Sequence, residues 1–407
     1  MRITFLSVSS EMGGSESSLL ELVRGIRRRE PSWGLTVVVP REGPLARRVR
    51  ETGSDTRVLP LPQALARLGE SAMRGRGAVA RRGATFLAAA GSLGGYTRRL
   101  SALLSEIRTD VLHSNGFKLH VLGTRAVSAG TPVVWHLHEY LSTRPMSRAL
   151  LKRHVDRAAA IVANSHSVAA DLTSVFGPHA PVTTIYNAVD LREFAPDGAV
   201  ADIDRLAGLP QAAPGTIRVG LVATFGRWKG HEPFLRAIQR LGCSVAVRGY
   251  IVGGPLYDTA GSQYTLEELQ RIAMDLGVAG RVGFTGFVER PASVLRALDV
   301  VVHASTEPEP FGLVIAEGMA AGRAVILSAA GGAAELVRND VDALTHRPGD
   351  AEGLARAIER CAADANLRRR LGLEARRVAV ARFDPDAFAG AFTDLYRRVH
   401  TRQMARA

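Results

Sequence analysis

Short apolar runs that alternate with helical periods, stop once, and then start again are what most narrows the folds open to this chain. ITFLSVS, LTVVVP, VLHSN, VVWHLH and IVANS are rich in β-branched residues, and helical patterns such as LLELVRGIRR and LHVLGTRAVS separate them through about residue 190. The polar, proline-bearing stretch APDGAVADIDRLAGLPQAAPG interrupts the series, after which IRVGLVATF, SVAVRGYIVG, RVGFTGF, VVVHAS and AVILSA resume it. Alternation of strand and helix builds a sheet covered by helices. Two doubly wound α/β domains are therefore expected, over residues 1–195 and 196–384, with ligands received at the carboxyl ends of the strands. The final stretch, FDPDAFAGAFTDLYRRVHTRQMARA, predicts one or two amphipathic helices from about Pro385. Phe388, Phe392 and Leu395 lie on one face that packs onto a domain surface, and the basic residues beyond Arg397 are left to solvent.

With 407 residues, 46% of them hydrophobic and 22% charged, the chain can bury a sizeable core in each domain and has the make-up of a soluble globular protein. Its two cysteines, Cys243 and Cys361, are far apart and have no neighbouring His or Cys, which argues against a disulfide framework and a thiolate metal site and fits a reducing cytoplasm. MRITFLSVSS reads as a strand and a polar turn, not as a secretory leader, and no segment supplies about 18 uninterrupted apolar residues. A cytoplasmic protein without a membrane span is expected. The net charge of +13 is unevenly placed: through residue 190, 25 Lys and Arg stand against 14 Asp and Glu, which leaves 27 against 25 for the remainder. Between Leu61 and Leu100, Arg67, Arg74, Arg76, Arg81, Arg82, Arg98 and Arg99 are interspersed with Ala, Leu and Phe. Such a stretch is either a solvated basic surface or an amphipathic segment that touches anionic membrane.

Chemistry concentrates in EPFGLVIAE, Glu309 to Glu317, an apolar stretch bounded by two carboxylates that need partners if buried. The strand DVVVHAS, the loop TEPEPFG and the helix LVIAEGMAAG put Glu309 at the mouth of a helix N-terminus. The first free amides there, near Gly312, Leu313 and Val314, suit a phosphate. Glu317 falls about one and a half turns inside the helix. A diphosphate with a sugar on one side and a ribose on the other would give each carboxylate hydroxyls to accept from. The other reading of Glu317 is a structural ion pair with Arg323 or a nearby lysine.

In VGLVATFGRWKG a strand ends at the turn Thr224 to Arg227, and Lys229 stands where the next helix begins. Two cations there suit a departing diphosphate, or merely a solvated turn. In PVVWHLHEY, His136 and His138 share a strand face, and His138 at the carboxyl end can donate to a hydroxyl or simply serve the fold. A pair of histidines without a third ligand does not make a zinc site. EMGGSE follows the first strand, where Gly13 and Gly14, ahead of Ser15 and Glu16, permit a tight turn and close approach of a ligand. The triplets Asp202 to Asp204, Asp340 to Asp342 and Asp384 to Asp386 lie away from strand ends and read as surface loops, not metal sites.

Together these segments resemble the retaining glycosyltransferases of the GT-B fold, family 4. EPEPFGLVIAEGMAAGRAVI with its Glu309 and Glu317, RWKG, RVGFTGFV, PVVWHLHE, ANSHSVAADL, IYNAVDLREF and the GGSE loop fall in that family's order over nearly the whole chain. The resemblance implies two Rossmann-like domains facing each other across a cleft. The first would bind a hydroxyl acceptor and take back the C-terminal helix 385–407; the second would bind a nucleotide-sugar. It further implies that Glu309 contacts the donor sugar and Glu317 the ribose. The amides of Phe311, Gly312, Leu313 and Val314 would meet sugar and diphosphate, and Lys229 would hold the diphosphate. His138 would lie next to the donor sugar and Phe287 and Val288 next to the base, while Gly13, Gly14, Ser15 and Glu16 would form an acceptor and phosphate loop. Thr224 stands where the family usually has a phosphate-binding arginine, with Arg227 three residues on as the substitute, and Ala188 stands where Gly is common. The implied reaction moves a hexosyl group from a UDP- or GDP-sugar to a hydroxyl of a glycan, lipid-linked or natural-product acceptor. Configuration is retained through front-face attack, and no metal or other cofactor is used.

Two other classes compete with this reading. An epimerase or phosphorylase on the same fold is disfavoured by RWKG and FTGF beside an acceptor-type GG loop, and a phosphorylase would also need a cofactor lysine. A non-catalytic basic binding protein has no use for carboxylates that repel phosphates. The partners expected are a nucleotide-sugar and a hydroxyl acceptor, with contact to anionic membrane at the basic first domain as the alternative to a solvated surface, and not nucleic acid.

Overall fold

The computed structural model describes residues 1–62, 79–242, 245–255 and 261–405, with the backbone alone for 79–90. Cys243 and the basic residues Arg67, Arg74 and Arg76 lie outside the described residues, as do the side chains of Arg81 and Arg82. Two compact units are present, one formed by Met1–Ala188 with Pro385–Ala407 and the other by Val189–Asp384. The division falls inside IYNAVDLREF, ahead of the boundary drawn at 195/196, because the Val189 amide donates to the Phe383 carbonyl at 3.0 Å and so ties the start of the linker to the second unit.

The first unit holds seven parallel strands: β1 (Arg2–Leu6), β2 (Gly34–Val39), β3 (Asp55–Val58), β4 (Val111–Asn115), β5 (Val133–Leu137), β6 (Ala158–Ala163) and β7 (Val182–Thr184). Their order is β3-β2-β1-β4-β5-β6-β7. Every residue of β4 and β5 is buried, as expected for strands with helices on both faces. On one face the Gly14–Arg29 helix packs Leu19, Val23 and Ile26 against Phe5 and Val37, and the Pro385–Met404 helix adds Phe388, Phe392, Leu395, Tyr396 and Val399. A large apolar side chain gains about 1.5–3 kcal/mol on full burial, so this apolar face outweighs any local helix preference. The two helices nearly touch: a Cβ at Gly25 would sit 2.5 Å from that of Ala389. The tail read as solvated stays helical to Met404, with Arg397 donating to Glu30 at 2.5 Å.

The second unit repeats the architecture with β8 (Ile217–Val222), β9 (Val247–Val252), β10 (Val282–Gly286), β11 (Val300–His303), β12 (Ala324–Ser328) and β13 (Leu344–His346), all parallel in the order β10-β9-β8-β11-β12-β13. Leu221, Ile251, Val302 and Ile326 of the sheet meet Phe234, Leu235, Leu354 and Ile358 of the helices. The reading of the Asp triplets as surface loops fails at two positions, since Asp204 and Asp342 are each 1% exposed. Asp204 accepts from the Tyr250 hydroxyl at 2.5 Å, Arg248 at 2.7 Å, Arg218 at 2.9 Å and the Ala212 amide at 3.1 Å. Burial pushes its carboxyl up, but these donors hold it well below the usual carboxylate range. It pins the polar linker to side chains of β8 and β9. Among the described residues, no helix is long and apolar enough to cross a membrane.

Candidate active site

In each sheet the strand order reverses once, between β1 and β4 and between β8 and β11. Chains leaving the carboxyl ends of such a pair diverge and leave a crevice that receives ligands. In the second unit the crevice lies between the turn after β8 and the loop after β11. Thr306 stitches the two together, donating its amide and hydroxyl to the Trp228 carbonyl at 2.8 and 3.3 Å. Gly230 completes the join: its φ is +78°, and a Cβ there would lie 1.8 Å from the Ala304 carbonyl oxygen.

That stitching brings Lys229 Nζ to 2.7 Å from Glu309 Oε2. The same oxygen accepts from Ser305 Oγ at 2.9 Å and lies 3.2 Å from Nε2 of the buried His303. The Glu309 backbone is fixed as well, its amide donating to the Ala330 carbonyl and its carbonyl accepting from the Ala333 amide, both at 3.2 Å. Burial by itself pushes the Glu309 carboxyl up. The Lys229 ammonium and the His303 hydrogen bond more than offset it, so the group stays ionised well below the usual carboxylate range.

Gly312 caps the Leu313–Ala320 helix with φ +85° and without a side-chain hydrogen bond to the first turn. A Cβ at Gly312 would approach Ile315 Cδ1 to 2.7 Å and Glu309 Cγ to 3.4 Å. Helix end and carboxylate are thus packed together, and the N-cap, a glycine, has no side chain with which to cover the first-turn amides. Phe311 is buried, Leu313 and Val314 are half-buried, and Glu317 is half-buried farther along the same helix. Arg323 donates to the carbonyls of Ala321, Arg296 and Leu298 at 3.1, 3.4 and 3.4 Å.

Arg227 turns elsewhere. Its guanidinium pairs with Glu268 at 2.9 Å, donates to the Gly261 carbonyl at 3.2 Å and covers the Tyr264 ring at 4.3 Å. Thr224 Oγ1 is buried without a hydrogen-bond partner among the described residues. Phe287, directly after β10, is 56% exposed beside the half-buried Val288.

The first unit's crevice gathers a glycine-fronted helix end and buried side chains. Gly13 caps the Gly14–Arg29 helix without a side-chain bond, and no atom lies within 4 Å of where a Gly14 Cβ would be. Glu16 is 5% exposed and accepts from Ser15 Oγ at 2.9 Å. Burial raises its carboxyl above the ordinary value, with the nearby Glu139 adding to the rise. His138 Nε2 lies 3.3 Å from Oδ1 of Asn115, the last residue of β4, and its ring is 4.0 Å from that of His136. Burial lowers His138 to about 4, so it is a neutral imidazole near pH 7. Deeper in the sheet, His113 is lowered to about 3 by burial and then by His138, and its Nδ1 lies 2.7 Å from the Tyr396 hydroxyl.

The structure therefore gathers Lys229, Glu309 and the Gly312 helix end into one constellation, and Gly13 to Glu16 and His138 onto the ligand-binding end of the other sheet. Sequence reasoning missed His303, Ser305 and Asn115. The visible signal was that VVVHAS and VLHSN, otherwise apolar, change to polar residues at their carboxyl ends. Among the described residues, no group of three or more His, Cys, Asp or Glu side chains is arranged to hold a metal ion.

Comparison with known proteins follows the same division. The Glycosyltransferase Family 4 model matches residues 12–193, and the Glycosyl transferases group 1 model matches residues 216–364. The lipopolysaccharide core biosynthesis glycosyltransferase LpsE of Rhizobium meliloti is 32% identical over 206 residues, 50% of this chain and 56% of LpsE. A GDP-mannose-dependent alpha-(1-6)-phosphatidylinositol monomannoside mannosyltransferase of Mycobacterium tuberculosis is 29% identical over 293 residues, 69% of this chain and 73% of the relative. The chain spans only 56%, 62% and 52% of the lengths of three curated relatives that it matches at 32–33% identity. Among solved structures, Anabaena HepE in complex with UDP and glucose is 26% identical and superposes with a TM-score of 0.77, covering 97% of this chain and 98% of HepE. Sucrose-phosphate synthase from Thermosynechococcus elongatus, at 21% identity and a TM-score of 0.78 over 98% of this chain and 99% of its own, shares the fold.

Proposed function

This chain belongs to the family 4 glycosyltransferases of the GT-B fold, and on that premise we propose that it moves a hexosyl group from a nucleotide-sugar to a hydroxyl of a lipid-linked glycan, with retention of configuration. The observation that carries the proposal is the Lys229–Glu309 pair at 2.7 Å, set beside a helix end fronted by Gly312 where the order of the second sheet reverses. Lys229 leaves Glu309 for the diphosphate, whose growing charge it shares with the amides of Phe311 to Val314. Glu309, held by Ser305 and His303, accepts from the sugar hydroxyls, and Glu317 accepts from the ribose. Phe287 and Val288 offer the base a flat apolar rest. Arg227 joins only by leaving Glu268. In the first unit, His138 offers a neutral donor to a hydroxyl, and Gly13 to Glu16 receive the incoming groups. The acceptor hydroxyl attacks from the face that the phosphate leaves, and the departing phosphate oxygen takes its proton. Cationic side chain and helix amides supply the electrostatic stabilisation, so the proposal includes no metal or other cofactor.

UDP in the HepE complexes and GDP-mannose in the name of the mycobacterial relative favour a UDP- or GDP-sugar donor. The lipopolysaccharide core and phosphatidylinositol in the relatives' names favour an acceptor borne on lipid. A thermal-shift screen with UDP-, GDP-, ADP- and TDP-sugars tests the donor. A ligand at about 100 times its Kd stabilises by about 2.7 kcal/mol, enough to raise Tm by several degrees. The expected result is a rise with a UDP- or GDP-sugar that Lys229→Ala and Glu317→Ala weaken. No rise with any of the four, or rises that both variants leave unchanged, defeats the assignment.

A further inference from the structure

We infer that the exposed face of the Pro145–Lys152 helix is a landing surface for an anionic lipid bilayer. The inference deepens the lipid-linked acceptor proposed above and rests on that reading. The helix buries a single residue, Leu151. Met146 and Leu150 are 42% and 43% exposed, and at i,i+4 they lie side by side. At 100° per residue, Ala149 and Arg153 complete the outward face, Lys152 borders it, and Arg148 lies farther round the helix. All four of these residues are exposed.

Cations dominate around that face. From Arg148 to Arg157 the chain carries Arg148, Lys152, Arg153 and Arg157 against the single acid Asp156, while Arg144 is taken up by Glu139 at 2.7 Å. His154 registers the crowding: burial first, and then Arg125, Arg157 and Arg153, lower its pKa. Two alkyl side chains flanked by guanidinium and ammonium groups match a surface where acyl chains lie just beneath phosphates. Nucleic acid offers no apolar layer for Met146 and Leu150, and a protein groove has no need of so many cations.

The helix is also coupled to the site. It follows β5 and His138 on one continuous connection, whose Leu141 and Ser142 amides both donate to Asp171 Oδ2, at 2.7 and 3.2 Å. A bilayer touching Met146 and Leu150 would thus hold the His138 end of the sheet close to lipid headgroups, where a lipid-borne hydroxyl is presented.

Flotation of the full chain with phosphatidylcholine vesicles, with and without phosphatidylglycerol, tests the inference. Measurements at about 0.1 M and about 1 M salt span screening lengths of about 10 and 3 Å. The wild type is expected to float only with the anionic vesicles, and less at high salt. Met146→Ser with Leu150→Ser is expected to weaken binding about tenfold while keeping its salt dependence. Lys152→Gln with Arg153→Gln is expected to weaken it similarly and to flatten the salt dependence. Arg377→Gln, on the other unit, serves as the unchanged control, and unaltered melting of each variant confirms that it folds; Leu150→Ala replaces the first double variant if that one melts early. Equal flotation with both vesicle types, or wild-type flotation of either double variant, overturns the inference. The vesicles contain neither donor nor acceptor, so a failure here beside a positive nucleotide screen removes the landing surface and leaves the transferase reading standing.

Discussion

The ligand-binding ends of the two sheets occupy equivalent places in equivalent topologies, yet their chemistry is opposite. In the second unit the crevice between β8 and β11 is ionic, with Lys229 against a Glu309 that Ser305 and His303 also hold. In the first unit, at the crevice between β1 and β4, burial lowers His138 to about 4 and raises the Glu16 carboxyl, and open space surrounds the place of a Gly14 Cβ. A doubly wound sheet fixes where a ligand sits, whereas the last residues of its strands decide which charge the ligand carries. The ionic end suits a diphosphate, and the end where burial disfavours charge suits hydroxyls.

The comparison breaks first at Lys229. Lys229→Ala and Glu309→Ala should each lower kcat by about 10²–10³, Glu309→Ala with the smaller effect on nucleotide affinity, and the double variant should fall little further because the pair acts as one unit. Steady-state assays with the donor found by thermal shift would measure this, and additive losses would show that the two residues act separately. Acid provides the second test. Unfolded imidazoles take up protons near 6.5, but folded His113 and His138 stay neutral down to about 3 and about 4. Between these values the unfolded chain binds more protons, so stability is complete above about pH 6.5 and falls, by a few kcal/mol on this order of reasoning, as pH drops toward 4. His231 of the second unit, lowered to about 4, adds to that loss. The Glu309 carboxyl, by contrast, keeps its full contribution down to the range where unfolded carboxyls take up protons, and loses it only below that. Melting curves from pH 7.5 to 4 would test this, and a flat profile would contradict it.

Smaller effects sharpen the contrast. Gly312→Ala forces a φ of +85° on a residue with a Cβ, and about 1–3 kcal/mol of destabilisation should accompany weaker nucleotide binding. Tyr396→Phe removes only the hydrogen bond to His113. It should lower stability by about 1 kcal/mol in denaturant titration and leave nucleotide affinity intact, because it touches the first unit alone. Arg227→Ala is expected to matter least, with kcat changing by about threefold or less, since its pair with Glu268 is surface-exposed. A loss near that of Lys229→Ala would return Arg227 to the diphosphate.

Much of this was legible in the sequence because alternation of apolar runs and helical periods dictates the sheets, and a strand end followed by a glycine-fronted helix locates a phosphate site. The same residues gave the GT-B resemblance. What escaped depended on partners distant in sequence. Arg227 could not be aimed without Tyr264 and Glu268, which the polypeptide returns to it only after β9. Asp204 looked like a loop residue because Arg218, Arg248 and Tyr250, which justify its burial, lie on β8 and β9. His303 and Ser305 were read as strand residues, although their side chains converge on the carboxylate that the loop presents.

The Pro385–Met404 helix carries a temporal consequence as well as a structural one. Phe388, Phe392 and Tyr396 complete a core whose other residues, from Ile3 to Ala188, are synthesised far earlier. A ribosome therefore releases everything needed for the second unit before it releases the last pieces of the first. The half of the molecule that is made first closes last, and until then its sheet carries an uncovered apolar face that the cell's chaperones have reason to guard.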